Sequence, residues 1–290
     1  MLVRRHTMRK ILPVLFCVVL VPLAGTSASA TELKPETAAA FNQYIHATEA
    51  HMQDATSQGR FLFLDDLPES RRVQSYQRVQ RGEIYVQALH SLEDSRSIRI
   101  PSGLIHHWVA VVFVPNATLT QALDVLQDYE HQKDFYKPML RASKLIDHNG
   151  NNFKVFLQFS NTAGATVVLN ANFDITATRF SDTQYQLASR SMRIAELANP
   201  GKPDEHELPV GNDRGFMWRL YTYWRIEEKD GGVYIQNESV ALSRTVPAII
   251  AWLVNPFIKG IPRSALVTLL SDTRTAVVKQ ATSAKPPTSQ

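Results

Sequence analysis

From residue 139 to residue 243 the chain reads as six strand-like segments in succession with no helix between them, at roughly 139–147, 153–160, 165–178, 184–197, 215–228 and 232–243. Breaker clusters separate them: Asn149-Gly150-Asn151-Asn152, Asn161-Thr162-Ala163-Gly164, Ser181-Asp182 and Asp230-Gly231-Gly232. The 230–232 turn lies between two alternating runs and is a hairpin signal, because Asp and Gly accept the backbone that a tight turn demands. Parallel strands need a crossover of a dozen or more residues, so this run predicts an antiparallel sheet. One gap is long and polar, residues 198–214 with Pro200, Pro203 and Pro209. A loop of that length inside a compact domain is a candidate lid or binding loop.

The run is framed by a strand and helices. Ile105 to Val114 is rich in β-branched and aromatic residues and ends at Pro115-Asn116, which predicts one more strand. Thr118 and Gln121 have capping-box spacing. The helix they open carries Ala122, Leu126 and Tyr129 on one face and is expected to end near Tyr136, because Pro138 disfavours helix at the residue before it. After the strands, Pro247 is placed to open a helix with Ile249, Ile250, Trp252 and Leu253. Asn255-Pro256 and Gly260 are expected to interrupt it, and Pro262 to open a second helix with Leu266, Leu269, Leu270, Thr273 and Val277 on one face. Upstream, residues 31–60 carry Ala38, Phe41, Tyr44 and Ile45 at helical spacing, with Gly59 as the stop. Residues 71–80 read as helical or irregular, 82–86 as a short strand, 87–103 as loop and 282–290 as a disordered tail.

The first 30 residues have another character. Arg4, Arg5, Arg9 and Lys10 precede an apolar run from Ile11 to Ala24, and small residues end in Ala28-Ser29-Ala30. That order is the pattern of a cleavable secretory signal. A run of about 14 residues is short for a span, which needs about 20; an uncleaved anchor is the alternative, and Met8 is a second possible start. No lipid-attachment cysteine follows Cys17. The leader holds four of the 31 basic residues and none of the 27 acidic ones, so the formal charge of +4 vanishes on cleavage. No basic surplus remains for nucleic acid. The single cysteine leaves as well, so stability rests on an ordinary core, for which 44% hydrophobic residues suffice.

Strand, helix, antiparallel strands and a C-terminal helix make an α+β pattern. The order from 105 to 281 resembles the helix-grip fold of the START-like, polyketide cyclase and Bet v 1-like superfamily. The residues that carry the resemblance are Tyr136-Lys137-Pro138 running into Ser143 and a second strand, and Ile261-Pro262-Arg263 opening the final helix. The resemblance implies a curved antiparallel sheet wrapped around a long C-terminal helix, with an apolar cavity between them. Residues 31–104 have no counterpart in the minimal fold and read as an N-terminal helical extension.

Few residues carry chemistry. His106-His107-Trp108 lies in the first strand, where neighbours point to opposite faces, so one histidine faces the cavity and the pair cannot chelate one metal. His131 with Asp128 shares a helix face, as a solvated charge pair. In the segment at 215–228, alternation groups Phe216, Trp218, Leu220, Thr222, Trp224 and Ile226 on an apolar face toward the cavity. It groups Met217, Arg219, Tyr221, Tyr223 and Arg225 on a face that reads as a solvent-facing ladder, or as one that receives an acidic head group. Arg190 or Arg193 near Glu238 is a candidate internal pair or ligand contact, since a buried arginine must be paired. Asn116-Ala117-Thr118 and Asn237-Glu238-Ser239 match the short glycosylation pattern. No G-x-S-x-G, phosphate-cradling loop, dinucleotide fingerprint or metal motif occurs. No cofactor, metal site or catalytic residue is therefore assigned.

These readings together predict an exported binding protein for an apolar small molecule, of lipid or fatty-acid type. Its cavity candidates are His106, His107, Trp108, Arg190, Arg193, Trp218, Leu220, Thr222, Trp224, Trp252 and Leu253. Two alternatives stand beside it: a cyclase- or hydrolase-like enzyme using a His, Tyr or Arg of the same cavity, and an envelope interaction protein that makes contact through its N-terminal helices.

Overall fold

The computed structural model describes residues 31–90, 92–93, 96–161, 166–245 and 248–283, with side chains placed at all of these except 31, 92–93, 96–97 and 248–262. The predicted signal at 1–30 and residues 284–290 of the predicted tail lie outside the described residues.

Helix α1 (Pro35–Ser57) opens with Pro35 in its first turn, where a missing N–H breaks no helical bond. It buries Phe41, Tyr44, Ile45, Thr48, Met52 and Ala55 at three- and four-residue intervals. Gly59, at φ +75°, turns the chain in a conformation that an L side chain rarely adopts. Helix α2 (Glu69–Gln80) follows, then strands β1 (Tyr85–Ala88) and β2 (Gly103–Pro115).

The predicted capping box opens helix α3 (Leu119–Leu126): Gln121 N donates to Thr118 Oγ1 at 3.3 Å, and Thr118 N to Gln121 Oε1 at 3.0 Å. The helix ends ten residues before the expected Tyr136. The Gln132 side chain donates to the carbonyl of Leu126, and Glu130 accepts from Leu145 N, so the segment is tied down sideways rather than continued. A single turn, α4 (Gln132–Phe135), completes the passage.

Strands β3 (Leu140–Asn149), β4 (Asn152–Asn161), β5 (Val167–Arg179), β6 (Gln184–Ala198), β7 (Arg219–Lys229) and β8 (Gly232–Arg244) follow without a helix, and helix α5 (Ala248–Ser283) closes the described chain. The main path of the sheet is β1-β2-β8-β7-β6-β5-β4-β3, antiparallel throughout. The two C-terminal helices expected from the sequence are one. Prolines 256 and 262 each remove a single N–H, and the remaining i to i−4 bonds carry the helix through.

Both faces of the sheet are covered. On the inner face, Ala110, Val112, Val155, Phe173, Leu187, Ile226 and Ile235 share one cluster with Leu266, Leu270 and Val277 of α5. This grip of a C-terminal helix by a curved antiparallel sheet is the α+β helix-grip arrangement. On the outer face, Phe41, Tyr44 and Ile45 of α1 pack on Trp218, Val240 and Leu242. Beside them Phe61, Leu62, Leu64 and Val79 pack on Val111, Phe113 and Tyr234. The N-terminal segment thus supplies an edge strand and a cover for the outer face.

Candidate functional site

The strand register sorts the inner-face residues into rows. One row is Trp108, Ser239, Thr222 and Ser189; the next, deeper toward the core, is Ala110, Asn237, Trp224 and Leu187. Above them lie His106, Ala241 and Leu220, where Leu220 N donates to Ser191 Oγ at 3.0 Å. His106, Trp108, Leu220, Thr222, Trp224 and Ser239 are only half-buried, whereas Val112, Ile226 and Ile235 further along the same face are closed. Burial depresses the pKa of His106, whose Nε2 lies 2.9 Å from Ser243 Oγ. That environment favours the neutral imidazole.

The far end of the face carries a charge. Glu196, 1% exposed, accepts from Arg214 Nη1 at 2.7 Å and from Arg214 N at 3.2 Å. Burial raises its pKa against the pull of that arginine. Arg214 belongs to the long loop after β6, which is anchored rather than free. Leu33 N donates to Gly211 O, and Asp213 accepts from Gly215 N and Trp218 Nε1.

Five of the predicted cavity residues therefore share the inner face: His106, Trp108, Leu220, Thr222 and Trp224. Four lie on the outer face. His107, enclosed beneath α1, donates from Nε2 to Glu238 Oε1 at 2.8 Å, and its Nδ1 lies 2.9 Å from Tyr44 Oη. Arg190 pairs with Glu49 of α1 at 2.6 Å, and Arg193 pairs with Glu207. Neither partners Glu238, which lies on the same outer face but is engaged by His107, while Arg190 and Arg193 are taken by Glu49 and Glu207; a bulge at Asn172–Phe173 of β5 sets Arg193 on that face beside Asn172. Trp218 is the fourth. Regular alternation begins only at Arg219, after Gly215 turns the chain at φ +72°, so Trp218 docks against α1 while Met217 packs inward. The side chains of Trp252 and Leu253 lie outside the described residues.

The expected solvent-facing ladder is a second correction. Tyr223 and Arg225 are 2% and 5% exposed, because α1 and the segment after it cover that face. Asn237 is fully buried, which removes it as a glycosylation acceptor in the folded protein. The exposed His131–Asp128 contact at 2.8 Å is a hydrogen bond at the surface of the helical passage. Asn237, Ser239 and the Glu196–Arg214 pair escaped the sequence reading. The one available signal was polar Asn237 in line with Val233 and Ile235 on an otherwise apolar alternation. Among the described residues no cluster of three metal-ligating side chains occurs, and no helix is long and apolar enough to cross a membrane.

No protein-family profile matches the chain, and no curated protein matches it in sequence. In structure it is similar to a STAR-related lipid transfer protein fragment from Xanthomonas axonopodis, at 15% identity and a TM-score of 0.43 over 67% of this chain and 98% of that one. It is similar to human STARD10 at 12% identity and a TM-score of 0.44, covering 73% and 81% of the two chains. It is also similar to the Zhui aromatase/cyclase of a Streptomyces species at 12% identity and a TM-score of 0.42, covering 61% and 96%.

Proposed function

We propose that this protein binds an apolar small molecule of lipid or fatty-acid type between the inner face of the sheet and α5, and that it does so after export. One observation carries the reading. Trp108, Leu220 and Trp224 lie on the face that α5 covers, yet they are half-buried, so part of their apolar surface there is left for something else to cover. The acid–base alternative loses His107, which is enclosed on the outer face. The interaction-protein alternative loses the apolar face of α1, which the sheet already buries.

The test is a titration of residues 31–290 with a fluorescent acyl probe. Saturable binding at micromolar strength, about −8 kcal/mol, is expected. Trp108→Ala and Trp224→Ala should weaken it, and His107→Asn should leave it unchanged. Absence of saturable binding for every chain length would overturn the reading. For export, intact-mass analysis of material from outside the inner membrane should show an N-terminus at Thr31. Material starting at Met1 or Met8 would refute cleavage.

A further inference from the structure

Asn237 lies on the inner face, one row deeper than the half-buried row of Trp108, Ser239 and Thr222. It is 0% exposed, and neither its Nδ2 nor its Oδ1 has a hydrogen-bond partner among the described residues. Its neighbours in register are Ala110 and Trp224, and neither side chain offers a carbonyl or hydroxyl to an amide. A buried amide without partners is strongly unfavourable, and one in a native interior calls for a group that completes it.

The surroundings define that group. An amide presents a donor and an acceptor together, and the hydroxyls of Ser239, Thr222 and Ser189 in the adjoining row present the same mixed character. No lysine or arginine occupies an inner-face position of β2, β8, β7 or β6. The acids there are engaged elsewhere: Glu196 with Arg214, and Glu228 with the backbone N–H of Leu119. Arg190 and Arg193 of β6 are paired on the outer face. A carboxylate or phosphate entering here finds no counter-charge among the described residues of these four strands and loses its water.

We infer that Asn237 is the polar recognition point of the ligand site, and that the ligand carries there an uncharged group able both to donate and to accept, such as a hydroxyl or a primary amide. The ligand class is then a long apolar body with a neutral polar end, a fatty alcohol or fatty amide rather than a free fatty acid. This rests on the binding reading above and narrows it.

The experiment is displacement of the bound fluorescent probe at neutral pH by dodecanol, dodecanamide, dodecanoate and tridecane, a hydrocarbon of the same length as the alcohol. Dodecanol and dodecanamide are expected to bind about tenfold tighter than tridecane, and dodecanoate more weakly than dodecanol. Asn237→Leu should abolish the advantage of the alcohol while keeping the affinity for tridecane. Should that variant not fold, the side-chain amide signals of Asn237 in the wild-type protein, read by NMR, should shift with dodecanol and not with tridecane. Equal binding of dodecanol and tridecane by the wild type, or an alcohol preference that survives Asn237→Leu, overturns the inference; so does a preference for dodecanoate. A probe that never binds refutes the binding reading itself, so the two failures are distinguishable.

Discussion

Arg225 holds the N-terminal segment to the outer face of the sheet, and its removal tests that packing directly. Its guanidinium donates to Phe61 O at 2.8 Å, to Gln186 Oε1 at 2.9 Å and to Met52 O at 3.3 Å, and lies 5.3 Å from the centre of the Phe61 ring. Burial lowers its pKa, against the pull of Glu238 and Asp66. Arg225→Ala strands the Phe61 carbonyl, whereas Met52 O keeps the hydroxyl of Thr56. An orphaned buried acceptor costs about 1–3 kcal/mol, and the charged bond to Gln186 contributes a further amount of about 1.5 kcal/mol or more. The cation–π contact adds roughly 1 kcal/mol. Relief of the buried charge offsets part of this. The net expectation is a loss of about 3 kcal/mol, seen in urea melts as a lower midpoint with an unchanged slope. Arg225→Lys should recover no more than about half, since an ammonium cannot reproduce the fork. Arg193→Ala, which breaks an exposed pair, should cost less than about 1 kcal/mol. If Arg225→Ala costs no more than Arg193→Ala, the outer face is not packed as described.

Two other outcomes are expected. Trp218→Ala should cost about 3–5 kcal/mol, because the ring is 2% exposed among Phe41, Tyr44 and Leu242 and its Nε1 donates to buried Asp213; Arg219→Ala should cost far less, and equal losses in melts would show the register of β7 to be wrong. The folded-state pKa of His106 lies below its ordinary value, so below about pH 6.5 the unfolded chain takes up the proton first. Stability should therefore fall as pH drops through that range and level off below the folded pKa. His106→Gln should flatten this limb in a pH series of melts, and an unchanged limb would refute the assignment.

The order of elements was legible because it is written in local signals. Period-two alternation and turn residues such as Asp230-Gly231-Gly232 mark strands and hairpins wherever the chain goes, and the Thr118–Gln121 cap acts within four residues. The amphipathic set Leu266, Leu270, Thr273 and Val277 likewise needs only helical spacing to declare its buried face. Faces and partners were not legible, since they depend on what arrives from far along the chain. Tyr223 and Arg225 read as a solvated ladder until α1, more than 160 residues upstream, is seen to cover them. Trp218 changes face because a turn at Gly215 breaks the alternation before the strand begins. Leu220, Thr222 and Trp224 could be placed on one face by alternation alone, whereas which histidine of the 106–107 pair joins them is decided by the strand register. That Asn237 lies beneath them with its amide unpaired depended on two register pairings and the closure of α5 over the sheet, because burial is a property of the assembled layers and of no segment by itself.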